Sequence, residues 1–286
     1  MSNISASQVK ELREKTGLGL MDCKRALEEA NGNLELAVEE LRKTSGLKAS
    51  KKSSRSAADG LIGIKSSEDK LFMVEINCET DFVARDDSFN SFVGEVLDIV
   101  ASNEGKTLEE LFDDGIEEKR EKLVQKLGEN IVVRRITASE DGADFSGVYL
   151  HSNSKIGTII SLKGGTEEVA KDIAMHVSAT DPMAISPSDI PQEVIEKEKE
   201  IYKAQSEESG KPAEIVEKMI EGKIKKFLSE VSLTEQDFVK DPSIKINEIL
   251  TDNNASILGF TRFEVGEGIE IEKVDFASEV MSQIEG

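Results

Sequence analysis

The sequence predicts an α+β protein assembled from several small modules. Two apolar segments, near residues 60–80 and 145–163, have the pattern of β-hairpins, and each is followed by an amphipathic helix. Residues 1–45 and 192–231 show helical periodicity instead. At 286 residues the chain is long enough for two or three modules and a buried core.

The first module, residues 1–45, predicts three short helices. Ser5 and Gln8 have the spacing of a capping box, which marks the start of the first helix. A glycine-rich turn, GLGLM, separates it from the second, and Asn33 is placed to cap the third. Three helices of this length predict a bundle of the ubiquitin-associated kind.

The next residues, 46–59, are basic, small and polar, which is the composition of a linker. Lys51, Lys52 and Arg55 could contact a phosphate, but a solvated tether is the simpler interpretation.

An internal repeat organises the core. In residues 60–140, the N-subdomain, two strands are followed by the helix SFVGEVLDIVAS. In the C-subdomain, residues 141–182 together with 232–265, two strands are followed by EVAKDIAMHVSA. The strand and helix are joined by GGTE in the second copy but by the longer CETDFVARDD in the first. Packing therefore does not require the extension.

Two further modules complete the predicted architecture. Residues 183–231 contain two charged helices with thin apolar stripes, which predict a protruding antiparallel helical hairpin. Residues 266–286 are expected to form a short C-terminal module that includes the helix DFASEVMSQI.

The net charge of −21 disfavours direct binding to nucleic acid or anionic lipid, so a protein partner is expected. No apolar run approaches the roughly 20 residues of a membrane span, and the N-terminus lacks the pattern of a signal peptide. Two distant cysteines, Cys23 and Cys78, indicate a reducing compartment. A cytoplasmic location is the expectation.

Candidate catalytic chemistry is scarce. Gly105-Lys106-Thr107 resembles the end of a phosphate-binding loop, but Val100 replaces the required glycine and a helix precedes it. His151 and His176 lack spaced metal-ligating partners, and packing is the better interpretation of His176. We expect no enzyme activity, no cofactor and no bound metal.

The extended joint places an aromatic ring, Phe82, where the chain leaves a strand. On local sequence, Phe82 could be a core residue that closes the strand end, with Asp86 or Asp87 as a helix cap. The absence of the extension from the second copy favours an exposed, functional ring.

Several segments together resemble bacterial elongation factor Ts over essentially the whole chain. They include MDCKRALEEANGNLELAVEELRK, EINCETDFVARDDSF, HVSATDPM and GFTRFEVGEGIE, in the order of that family. The resemblance implies a guanine-nucleotide exchange factor for elongation factor Tu, the GTPase that delivers aminoacyl-tRNA.

The resemblance also implies residue roles. Thr80, Asp81, Phe82 and Val83 match the element that disturbs the magnesium site of elongation factor Tu, with Phe82 as a wedge between its helices. The matching partner-binding positions elsewhere are Arg13, Leu20 and Met21 in the bundle, and His151. Some relatives form assemblies of two factors and two GTPases, so self-association in such a two-plus-two complex is a further expectation.

Two other hypotheses belong to different classes. A scaffold would bind its partners with no effect on nucleotide, whereas an enzyme would use Cys78 beside the acidic joint. Exchange activity predicts instead that this chain and nucleotide compete for one GTPase.

Overall fold

The computed structural model describes residues 4–207 and 212–270. It has an α+β architecture and divides into two compact units. Among the described residues, the first unit comprises 4–63, 74–136 and 264–270, and the second comprises 64–73, 137–207 and 212–263.

Three helices form the N-terminal part of the first unit: α1 (Ala6–Thr16), α2 (Leu20–Glu29) and α3 (Leu34–Lys52). The predicted capping box is present at Ser5 and Gln8, and Asn33 accepts hydrogen bonds from two backbone N–H groups of α3. Gly17 ends α1 in the left-handed conformation, with φ of 69°. Leu12, Cys23 and Leu27 are fully buried in the core that the three helices share.

The prediction of a linker over residues 46–59 is wrong for its first half, because α3 continues through Lys52. Ser45 and Ala49 are buried, and the Ser45 hydroxyl donates to the side chain of Gln125. Packing against a helix far along the chain therefore stabilises a segment whose composition favours a coil.

The next elements along the chain are β1 (Asp59–Ser67), β2 (Lys70–Cys78), α4 (Asp81–Ala84), α5 (Asp87–Ser102), α6 (Leu108–Leu111), α7 (Glu117–Leu127) and β3 (Ile131–Ala138). They lie in the first unit, except for residues 64–67 of β1, 70–73 of β2 and 137–138 of β3, which belong to the second. The three strands form a sheet in the order β1-β2-β3. The predicted apolar stripe of α5 is buried, at Phe92, Val93, Val96, Leu97 and Val100.

The second unit contains the second hairpin and helix: β4 (Phe145–Leu150), β5 (Ile156–Lys163) and α8 (Glu167–Thr180). The strands β4 and β5 pair antiparallel, with Phe145 opposite Leu162. Thr166 caps α8 by accepting a hydrogen bond from Val169 N at 3.2 Å. Ala170, Ile173, Ala174 and Val177 are fully buried in the core of this unit.

Further elements of the second unit are α9 (Gln192–Glu207), α10 (Ala213–Val231), β6 (Asp237–Phe238), β7 (Asp241–Lys245), α11 (Ile246–Asp252) and β8 (Ser256–Glu264). The helices α9 and α10 pack against each other. The sheet order is β4-β5-β8, while β6 and β7 form a separate two-stranded sheet that no sequence pattern predicted.

A glycine in the first strand of each hairpin lets the following helix approach closely. A Cβ atom on Gly63 would lie 2.5 Å from Val93 Cγ1 of α5. A Cβ atom on Gly147 would lie 2.2 Å from the carbonyl group of Ala170 in α8. The two copies thus share a packing solution as well as an order of elements.

No helix within residues 4–207 and 212–270 is long and apolar enough to cross a membrane. The predicted C-terminal helix, DFASEVMSQI, lies outside the described residues.

Candidate partner-binding site

The extended joint between β2 and α5 contains a single helical turn, α4. Thr80 precedes it with extended backbone angles, φ −132° and ψ 156°, and its Oγ1 accepts a hydrogen bond from Val83 N at 3.4 Å. This is the geometry of a helix N-cap. Residues 79–86 connect strand to helix here, whereas residues 164–166 are sufficient in the second copy.

Phe82 points out of the protein, with 80% of its surface exposed. The following residue, Val83, is only 9% exposed, and Ala84 is buried as well. Successive side chains of a helix point about 100° apart, so one turn can bury Val83 and Ala84 while it exposes Phe82. The alternative that Phe82 is a core residue is therefore wrong.

Residues on either side of Phe82 in sequence form polar contacts. Asp81 forms an ion pair with Arg85, with 2.6 Å between Oδ2 and Nη2. Asp86 caps α5 by accepting a hydrogen bond from Ser88 N at 2.8 Å. Hydrogen bonds from the side chain and backbone of Ser88 hold the pKa of Asp86 below its ordinary value. The helix that follows Phe82 therefore starts at a fixed residue.

Glu129, which no sequence pattern singled out, holds the start of the α4 turn. Its Oε1 accepts a hydrogen bond from Thr80 Oγ1 at 2.6 Å, and its Oε2 accepts from Glu79 N and Thr80 N at 3.1 and 3.0 Å. Glu129 lies between α7 and β3, 49 positions from Thr80. No local pattern marks this contact.

Cys78 is buried at the end of β2, and its thiol donates to Thr80 O at 3.2 Å. A buried thiol offers no accessible nucleophile. The hypothesis of an enzyme that uses Cys78 therefore loses its one candidate residue.

The bundle residues that the sequence predicts to bind a partner are exposed. Leu20 and Met21 are 53% and 71% exposed in the first turn of α2, and Arg13 is exposed on α1. Leu20 is consequently not a core residue of the bundle. Large apolar side chains in such positions supply contact area to a partner.

A cleft of about 540 Å³ lies in the first unit between the bundle and the core helices. Thr16 and Gly17, at the end of α1, form one side, while Asp87 and Ser88 of α5 belong to the other. Leu20 lies three residues after Gly17 along the chain and Phe82 five residues before Asp87, but neither is among the residues that line the cleft. The lysines of α7 at its rim have partners; for example, Lys126 donates to Ser88 Oγ at 2.6 Å.

His151 belongs to the second unit, in the turn between β4 and β5. Its Nδ1 lies 2.8 Å from Asn153 Oδ1, and its ring is exposed. The other histidine, His176, is fully buried in α8, where Nε2 lies 2.9 Å from Gln236 Oε1. His176 is therefore a packed histidine, as predicted.

Among the residues that the structure describes, no three or more His, Cys, Asp or Glu side chains are grouped so that they could hold a metal ion.

Comparison with known proteins gives a consistent family. A family model described as Elongation factor TS matches residues 79–267. The chain is 53% identical to an Elongation factor Ts of Hahella chejuensis, with 100% of both chains covered. It is 56% identical to one of Marinobacter nauticus, with 98% of this chain and 97% of that protein covered. An Elongation factor Ts of Francisella tularensis subsp. novicida is 51% identical over the whole of both chains.

Proposed function

The chain belongs to the elongation factor Ts family, and we propose that it is a guanine-nucleotide exchange factor for elongation factor Tu. In this role it binds the GDP-bound GTPase, disrupts the magnesium and phosphate site, and promotes GDP release so that GTP can bind. The cytoplasm, where translation takes place, is the proposed location. The exposure of Phe82 on a capped helical turn is the observation that carries the proposal.

An exchange factor requires no covalent chemistry. Magnesium bridges the phosphates of a bound nucleotide to a GTPase and strengthens its binding. A protein that binds only the conformation in which this bridge is broken weakens nucleotide binding, and nucleotide weakens its own binding by the same factor. Competition between this chain and GDP is therefore the central property of the proposal.

Phe82 is suited to act as the wedge. An aromatic side chain offers a large apolar surface and has few rotatable bonds, so it loses little conformational entropy on binding. Because α4 is fixed at Thr80 and its other side is buried through Val83, the ring is presented on a rigid base. Asp81 lies beside it and can make polar contacts with the same partner.

The remaining contacts are proposed to give affinity. Arg13, Leu20 and Met21 bind the nucleotide domain of elongation factor Tu, and His151 contacts another of its domains. The exposure of all four side chains supports this assignment. No cofactor takes part.

The test is the release of fluorescent GDP from elongation factor Tu after addition of excess unlabelled GDP. We expect the chain to accelerate release at substoichiometric concentration, and Phe82→Ala to lose most of the acceleration. Ile215→Ala, which truncates an exposed apolar side chain on α10, is the matched control and should behave as wild type. Binding without acceleration would replace the proposal with a nucleotide-indifferent scaffold.

A further inference from the structure

We propose that Glu129 is the positioning residue that holds Phe82 in the conformation required for exchange. This inference rests on the proposed function, and it assigns a role to a residue that does not itself contact the nucleotide site of the partner. Glu129 acts through Thr80, the cap of α4, to which it is bound by both its carboxylate oxygens.

The Glu129 carboxylate accepts hydrogen bonds from backbone N–H groups in the segment between β2 and α4. Beyond the end of β2, the backbone N–H groups of Glu79 and Thr80 both donate to Glu129 Oε2. An isolated helical turn provides few internal hydrogen bonds, so such external acceptors decide whether it forms. Glu129 thus supplies the fixed base that α4 requires.

The third hydrogen bond determines how the cap itself works. The Thr80 hydroxyl donates its only hydrogen to Glu129 Oε1, which leaves an oxygen lone pair for Val83 N. Without an acceptor at Glu129, the hydroxyl can rotate and donate elsewhere. The bond from Val83 would then weaken, and the turn that presents Phe82 would lose its cap.

A reciprocal contact ties the same point to the rest of the unit. Glu79 Oε1 accepts from Asn130 N at 2.6 Å, so neighbouring glutamates at two strand ends each bind the backbone of the other segment. The side chain of Asn130 donates to Arg55 O at 2.8 Å, in the segment that follows α3. Glu129 itself lies between Gly128, which ends α7 in the left-handed conformation, and the start of β3. Its backbone is therefore held on both sides.

This arrangement distinguishes positioning from binding. Glu129 uses both oxygens within its own chain, so its removal changes the order of α4 rather than a contact with the partner. A partner that requires Phe82 in one position must then order the turn when it binds. This lowers the affinity of the chain for the GTPase conformation in which the magnesium bridge is broken. The loss should consequently depend on the presence of Phe82.

A graded pair of substitutions tests the role of the acceptor atoms. Glu129→Ala removes all three hydrogen bonds. Glu129→Gln keeps a carbonyl oxygen for the two backbone N–H groups but loses the acceptor for the Thr80 hydroxyl, so it removes only the third hydrogen bond. Glu110→Ala is the matched control, because Glu110 accepts from the N–H and hydroxyl of Thr107 at 2.8 and 3.0 Å, but at α6.

The first measurement is the saturating acceleration of GDP release by the full chain. We expect Glu129→Ala to lower it about tenfold, and Glu129→Gln to remain within about threefold of wild type. In the Phe82→Ala background, Glu129→Ala should have no further effect, because the ring it positions is gone. An equal loss in both backgrounds, or no loss, would overturn the inference.

The second measurement does not involve the partner. In the free chain, Glu129→Ala should increase amide hydrogen exchange about tenfold at Glu79, Thr80 and Val83, while Glu110→Ala leaves these amides unchanged. If the wild-type chain fails to accelerate GDP release, the proposed function fails. The amide hydrogen-exchange rates still decide whether Glu129 orders α4. Unchanged amide hydrogen exchange in Glu129→Ala would refute the positioning role.

Discussion

Phe82 and Val83 are consecutive residues of one helical turn, yet the first is exposed to solvent and the second is buried in the core of its unit. The burial of Val83 holds the turn in place, and the exposure of Phe82 makes a large ring available to another protein. The proposed function and the stability of the turn therefore depend on adjacent side chains, and mutation can separate them.

Truncation at these two positions should have unequal effects on the free energy of unfolding. Phe82→Ala should leave the free energy of unfolding within about 0.5 kcal/mol of wild type, because an exposed ring adds little to folding. Val83→Ala should lower this free energy by about 1.5 kcal/mol, since two buried methyl groups are lost. Urea unfolding followed by circular dichroism measures both.

In partner binding, Phe82→Ala should be the more damaging of the two variants. Phe82→Ala should weaken binding to nucleotide-free elongation factor Tu by about 2 kcal/mol or more. A large loss of stability in Phe82→Ala would show that the ring has a structural role and would contradict the assignment.

Met21→Ala tests whether the bundle provides affinity rather than nucleotide displacement. If Met21 binds the GTPase equally well with and without nucleotide, its loss should raise the concentration for half-maximal GDP release about fivefold or more. The saturating release rate should not change. Steady-state titration of the chain against elongation factor Tu gives both values.

Leu18→Ala is a suitable comparison, because Leu18 is buried in the same bundle. It should lower the stability of the bundle by about 2–5 kcal/mol. A decrease in the saturating rate of Met21→Ala would place Met21 in the displacement step instead.

His176 should make the second unit sensitive to mild acid. Burial lowers the pKa of His176 below its ordinary value of 6.5, an effect that the hydrogen bond to Gln236 only partly opposes. Val239 N donates to His176 Nδ1 at 3.3 Å, so a second ring proton would point at an N–H group. The folded state therefore keeps this ring neutral.

The direction of the pH effect follows from linkage. Well above pH 6.5 the ring is neutral in both states, whereas around and below pH 6.5 the unfolded chain takes up a proton that the folded chain does not. Stability should therefore fall between pH 7 and the lower folded pKa, by up to about 1.4 kcal/mol per pH unit. Urea unfolding from pH 7.5 to 5.5 measures this slope, and His176→Gln should flatten it. An unchanged slope in the variant would assign the effect to other groups.

Two glycine-to-alanine substitutions should change stability in opposite directions. Gly147→Ala would place a methyl group 2.2 Å from the backbone of Ala170 and should cost about 3 kcal/mol or more, because backbone atoms must move. Gly94→Ala adds a methyl group to an exposed site on α5 where nothing beyond its chain neighbours and the backbone of α5 lies within 4 Å, and should gain about 0.5–1 kcal/mol. Thermal unfolding of both variants tests the close approach of β4 and α8.

Features that depend on neighbouring residues could be predicted from the sequence. The capping box at Ser5 and Gln8, the Asn33 cap and the buried stripe of α5 each depend on side chains a few positions apart. Helical and strand periodicities are local in the same way, so the α+β class and the repeat of hairpin and helix could also be predicted. The extension found only in the first copy predicted an exposed ring at Phe82, and the sequence resemblance indicated the family.

Contacts between distant segments decided the rest. The extension of α3 to Lys52 depends on packing against residues near Gln125, and composition alone favoured a linker there. The exposure of Phe82 depends on which side of α4 meets the core. The hydrogen bonds of Glu129 to Thr80 join residues 49 positions apart. Local sequence encodes propensities and caps, but a side chain's partner across the fold exists only once the chain has brought the two segments together.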